Sequence, residues 1–196
     1  MTPLRPELAA IAAVVPMGAR VLDIGCGDGA LLAALRDDKR VDGRGIELSA
    51  AKVAAAVARG LSVVQGDADT DLGDYPGDAF DYVILSDALQ AMRDPARVLA
   101  ELLRIGRRAV VSFPNFGHWR VRASLVAGGR MPVTRTLPVA WHATTNIHLC
   151  TVDDFRALTR DLGIVVEAAQ FLSGGRRIAA FANLRAEQAM FVLRRG

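Results

Sequence analysis

Residues 21–29 read VLDIGCGDG: an apolar run, one acidic residue, then glycines at three alternate positions. An apolar run of this kind reads as a buried strand, and glycines directly after it allow a tight turn that opens a helix, here ALLAALRD from residue 30. The same rhythm continues outward. RVLDI (20–24), RGIEL (44–48), LSVVQG (61–66), FDYVILS (80–86) and AVVSF (109–113) are near-continuously apolar, as parallel strands buried on both faces should be. SAAKVAAAVARG and DPARVLAELLRIG have helical spacing; Asp94 caps the second, with Pro95 at its first position, and Gly60 ends the first. Regular alternation of strand and helix predicts an α/β, doubly wound Rossmann-like sheet, mostly parallel and seven-stranded, with helices on both faces. GIVVEAAQFL and EQAMFVLRR read as closing strands, an antiparallel pair at the sheet edge.

Length and composition agree with one domain over residues 1–196: 52% of the residues are hydrophobic and 23% charged. LAAIAAVV (8–15) is too short to span a bilayer, lacks a cleavage site and reads as an amphipathic first helix; Pro3 and Pro6 fit its start and Pro16 its stop. Cys26 and Cys150 form no Cys-x-x-Cys pair and the three histidines are far apart, so no metal site is expected. The expected location is cytoplasmic, with free thiols. Residues 1–100 carry ten Lys or Arg against fifteen Asp or Glu, and residues 101–196 fourteen against six. The basic second half has its arginines singly or in pairs, which suits a solvated face or a protein interface better than nucleic acid.

Two ligand chemistries fit the glycine turn. Gly25, Gly27 and Ala30 satisfy the dinucleotide spacing, with Glu47 about twenty residues on to bind a ribose. Asp23 separates the two readings: a carboxylate pointing into the turn is a poor neighbour for a pyrophosphate but a good one for the ammonium and sulfonium of S-adenosylmethionine. Asp67, in the GDAD run after the third strand, stands where a carboxylate can accept the adenine amine, and Ser86 closes the fourth strand on the same edge. Together these features resemble class I S-adenosylmethionine-dependent methyltransferases over the first 115 residues or so. The candidate contacts of S-adenosylmethionine (or S-adenosylhomocysteine) are then Asp23, Gly25, Cys26, Gly27, Glu47, Leu48, Asp67, Ala68 and Ser86, with Cys26 contributing backbone and its thiol acting as a small filler.

Later segments narrow the match. SFPNFGHWRVR (112–122), GGRMPVTRTLP (128–138), NIHLCT (146–151) and NLRAEQAMFVL (183–193) resemble the methionine biosynthesis protein MetW family over essentially the whole chain. The resemblance implies a methyltransferase-like fold working with a homoserine O-acyltransferase in methionine synthesis, and no particular methyl acceptor. The family's SQTLQ-like stretch stands here as Ser86-Asp87-Ala88-Leu89-Gln90, and its WYDTPNIH-like stretch as WHATTNIH (141–148).

Methyl transfer needs alignment and sometimes a base, for which Asp87, His118, His142 and His148 are the candidates, none with an evident partner in sequence. The Asn-Pro-Pro-aromatic tetrad of many amino-methylating enzymes is absent at 86–89. Three functions stay open: an accessory, activating subunit of a homoserine O-acyltransferase that senses S-adenosylmethionine, which the family resemblance favours; a small-molecule methyltransferase; and, less favoured, an RNA methyltransferase. The stretch 113–150, most of it an extended, insertion-like segment (114–150), carries Phe113, Phe116, Trp119 and Trp141 among Arg120, Arg122, Arg130 and Arg135. It reads as a docking surface centred on Trp119 and Arg122, with a lid over an acceptor and a satellite core as rivals.

Overall fold

The computed structural model describes residues 4–134 and 137–196, so Pro3 and Arg135 lie outside the described residues. The sheet runs β3-β2-β1-β4-β5-β8-β6-β7. Its parallel core is β1 (Arg20–Ile24), β2 (Asp42–Glu47), β3 (Ser62–Gln65), β4 (Phe80–Ser86) and β5 (Gly106–Pro114). β8 (Gln188–Arg194) inserts antiparallel between β5 and β6 (Val165–Ser173).

Among the described residues the sheet has eight strands rather than the expected seven. The addition is β7 (Arg176–Arg177), which pairs antiparallel with β6 at the outer edge. Gly174 and Gly175, at φ 57° and 77°, make the two-residue turn between them, a geometry that favours glycine at both positions.

Side chains alternate across the sheet with the strand period of two. Leu22, Val83, Leu85, Val111, Phe113 and Phe191 face one layer, closed by α4 (Pro95–Ile105) and α6 (Val152–Asp161). Val21, Ile84, Val110, Met190 and Val192 face the other, closed by α1 (Pro6–Val14) and α2 (Ala30–Lys39), with α3 (Ala50–Ala58) reaching it through Ala56. α1 starts with Pro6 in its first turn and buries Leu8 and Ile11. Asp94 accepts from the Arg97 N–H, and Thr151 and Asp154 form a reciprocal capping box at α6. The segment after β5 contains α5 (Trp119–Gly128), which buries only Val121, and a short α7 (Ala182–Arg185) precedes β8.

Candidate functional site

The parallel register brings the sequence-predicted residues to one edge. Ile24 of β1 is level with Ile46 of β2 and Leu85 of β4, and Glu47 with Gln65 of β3, so the segments after all four strands emerge together. The glycine turn folds back on β2: the Gly25 and Cys26 N–H groups both donate to Ile46 O, at 2.8 and 3.2 Å. The Gly29 N–H donates to Cys26 O at 3.0 Å, and Ala30 begins α2. Gly25, Gly27 and Gly29 all have positive φ, which is why glycine recurs at alternate positions. Two of them also answer different spatial demands. A Cβ on Gly29 would press into the Leu61 side chain, whereas one on Gly27 would meet no atom within 4 Å, leaving an open approach to the backbone.

Two carboxylates flank this turn. Glu47, buried at the end of β2, accepts from the Gly27 N–H at 2.9 Å through Oε2 and from the Ser49 N–H at 2.9 Å through Oε1. It therefore braces the turn, and each of its oxygens keeps acceptor capacity for a further donor such as a ribose hydroxyl. Asp23 is 3% exposed, and no described residue donates a hydrogen bond to its carboxylate. Burial first, and the charge of Glu47 second, push its carboxyl up to about 7. A buried, unpartnered carboxylate is costly and calls for a cation or donor from outside the chain.

The remaining candidates divide. Leu48 is 64% exposed on the edge, where an apolar ring could lie against it, while Ala68 packs against the core. Asp67 takes the Asp69 N–H on Oδ1 at 2.9 Å. Ser86 pairs its hydroxyl with that of Ser112 at 3.1 Å. The Cys26 thiol fills the notch opposite Gly45, whose added Cβ would come within 2.6 Å of Sγ. Burial, then the charges of Asp23 and Glu47, push that thiol up to about 12, so it stays protonated.

The candidate bases are less well placed for chemistry. His118 is buried and caps α5, accepting from the Arg120 N–H at 3.4 Å, and burial lowers its pKa. His142 packs edge-on against Trp141, and His148 lies 3.4 Å from Arg93 O. Asp87 accepts from Gln188 Nε2 at 3.1 Å and is raised chiefly by burial.

Two buried amides that sequence reasoning left without a role join the later segments. Asn115 donates to Asn183 O and Ala186 O and accepts from the Gly117 and Val152 N–H groups. The Gln90 side chain donates to Pro114 O, while its main-chain carbonyl accepts from the Ile147 and His148 N–H groups. The PNFG, NIHLCT and NLRA stretches thus meet at one place. The signal in sequence was polar residues beside apolar runs, which alone does not distinguish a buried hub from a solvated loop.

Known proteins resemble this chain in sequence and in fold. The model of the family described as methionine biosynthesis protein MetW matches residues 5–193. The bifunctional methionine biosynthesis protein MetXA/MetW of Rhodopirellula baltica is 36% identical over 205 residues, covering 98% of this chain but 33% of its own length. The chain thus spans about a third of that relative. Among solved structures, an S-adenosylmethionine-dependent methyltransferase from Mesorhizobium loti superposes with a TM-score of 0.72 at 22% identity, covering 97% of this chain and 98% of that one. A putative Haloferax volcanii methyltransferase, solved with the Trm112 activator, gives 0.71 at 21% identity over 96% of this chain and 88% of that one. The methyltransferase-like fold is thereby shared, and with the family model matched over all but its first four and last three residues, the chain belongs to the MetW family.

Proposed function

We propose that this chain binds S-adenosylmethionine or S-adenosylhomocysteine at the carboxyl edge of β1–β4 and acts as an accessory, activating subunit of a homoserine O-acyltransferase. The ligand reading rests on Asp23, a buried carboxylate to which no described residue donates a hydrogen bond, set behind a glycine turn open at Gly27. In this reading Asp23 stabilises the ammonium end, Glu47 takes the ribose, Asp67 the adenine amine, and Leu48 lies against the ring, with Ser86 facing the same edge. When bound, S-adenosylmethionine supplies a methyl group on a sulfonium. A methyltransferase-like fold does not by itself imply transfer, and each candidate histidine already has a structural contact.

The partner reading rests on the relative in which MetXA and MetW share one chain. A surface on the segment after β5 suits such a partner. Of sixteen exposed large apolar side chains among the described residues, eight fall within residues 119–149, and Trp141 is 71% exposed. That favours docking over a satellite core. Trp119 is 50% exposed with the Arg120 guanidinium 5.4 Å from its ring, and Arg122 Nε donates to Gly117 O, which fixes its direction. The basic second half is meanwhile partly neutralised: Arg108 and Arg194 share Glu167, Arg156 meets Asp153, and Arg195 meets Asp78. This supports a protein partner over nucleic acid.

Calorimetric titration with S-adenosylmethionine and co-purification with homoserine O-acyltransferase test the two halves separately. Saturable binding lost in Asp23→Asn, and capture lost in a folded Trp119→Ala/Arg122→Ala double variant, are the expected results. No binding by the wild type, or unchanged capture by the double variant, would refute the corresponding half.

A further inference from the structure

The segment between β4 and α4 meets the ligand edge on one side and the segment after β5 on the other. Asp87 opens it at φ 55°, a conformation that few non-glycine residues adopt, and Leu89–Ala91 form a single 3₁₀ turn, a tight connector with poorer hydrogen-bond geometry than an α-helix. Toward the ligand edge, the Ala88 Cβ lies 3.5 Å from where a Gly25 Cβ would stand, and the Arg93 N–H donates to Asp69 Oδ1 at 3.0 Å and Oδ2 at 3.3 Å. Toward the other side, Gln90 O accepts from the Ile147 and His148 N–H groups at 2.8 and 2.9 Å, and His148 Nε2 lies 3.4 Å from Arg93 O. We propose that Asp69 is a positioning residue that couples ligand occupancy at the carboxyl edge to the order of residues 146–150. The proposal rests on the ligand reading above and is independent of the partner reading.

Three observations carry it. The first is that Asp69 faces both ways. Its N–H donates to Asp67 Oδ1 at 2.9 Å, so the carboxylate that takes the adenine amine and the residue that holds Arg93 are fixed together. The second is the uneven anchoring of the segment. Gln90 is buried, with its side chain donating to Pro114 O, whereas Arg93 is exposed and the acceptor of its N–H is Asp69. The order of the Arg93 end therefore follows that of the loop carrying Asp67. The third is that Ile147 and His148 share one main-chain acceptor. Both N–H groups end on Gln90 O, and the His148 ring reaches Arg93 O, so this exposed stretch rests on residues 90 and 93 together. A ligand that orders Asp67 lowers the entropy cost of ordering Asp69, the turn and residues 147 and 148 in succession, and no rearrangement is required. The coupling is reciprocal: whatever fixes residues 146–150 raises ligand affinity by the same factor. Ile147 and Leu149, 60% and 38% exposed, lie on the apolar surface described above, which gives the coupling an outlet at the exterior of the protein.

NMR-detected hydrogen exchange follows single amides in the free protein and at saturating S-adenosylhomocysteine, with calorimetry reporting binding on the same samples. In the wild type the ligand should slow exchange at Ile147 and His148 by roughly fivefold or more, the lower end of typical coupling between two sites. The Gly129 and Ala143 amides, which donate to Leu125 O and Ala140 O in the same part of the chain, should be unchanged. Asp69→Ala keeps the backbone N–H that Asp67 uses, so it should still bind the ligand while losing the slowing at Ile147 and His148. Asp69→Asn, which keeps an acceptor oxygen for the Arg93 N–H, should retain most of it. Ligand binding without slowing in the wild type, or the same slowing in Asp69→Ala, overturns the inference alone. Slowing that spreads equally to Gly129 and Ala143 overturns it as well, since it reports only general stabilisation by the ligand. A wild type that does not bind S-adenosylhomocysteine removes the ligand reading and this inference with it.

Discussion

Replacing Asp23 with asparagine should make the free protein more stable at alkaline pH while removing its affinity for a cationic ligand. The carboxyl titrates at about 7 in the folded chain against an ordinary 3.8, because burial penalises its charged form. A group whose pKa rises on folding contributes stability that is full below its unfolded pKa and lost as pH rises through the folded one. About three units correspond to about 4 kcal/mol lost across that window, with about 3 kcal/mol of it between about pH 5 and pH 8. Asparagine is close in size but does not ionise. Its amide adds a buried donor that costs about 1–3 kcal/mol at every pH, so the informative quantity is the pH-dependent part of the difference. Urea unfolding of wild type and variant across this range measures it. The variant should gain on the wild type steadily as pH rises, and S-adenosylmethionine should restore stability to the wild type alone. A stability difference that does not change with pH would refute the burial of a charged Asp23, and equal stabilisation of both proteins by the ligand would refute its role in binding.

Other substitutions separate the parts of the site. Gly27→Ala should cost only about 1–2 kcal/mol, for the positive φ, yet weaken ligand binding by an order of magnitude or more; Gly29→Ala should cost more, since its Cβ also meets Leu61. Paired thermal melts and calorimetry check this ordering, and equal destabilisation would contradict it. Asn115→Ala removes four hydrogen bonds from a buried hub and should cost at least about 3 kcal/mol, read as a lower denaturant midpoint with faster proteolysis between residues 116 and 150. Native Cys26 should resist alkylation near pH 8, where a thiol raised to about 12 is almost wholly protonated; rapid modification of the folded protein would contradict the buried placement.

The fold was legible from VLDIGCGDG outward because parallel strands buried on both faces leave long apolar runs and because Asp94 and Gly60 mark helix ends. The strand β1 falls on the residues read from sequence, and β4 likewise. β7 was missed since two arginines carry no apolar period, although the Gly174-Gly175 pair before them is a hairpin signal. At the site, the sign of Asp23 and the spacing of the glycines were readable locally. That Glu47 braces the turn, that Asp23 is buried without a donor among the described residues, and that Asn115 ties together segments some seventy residues apart depend on tertiary packing, which no local pattern encodes.

The central claim joins a ligand site to a partner enzyme, and the most direct test is the rate of homoserine O-acyltransferase with and without this protein over a range of S-adenosylmethionine concentrations. The account predicts that the protein raises the rate and that the rise changes with ligand in the wild type but not in Asp23→Asn. An acyltransferase rate indifferent to the protein at every ligand concentration would contradict it.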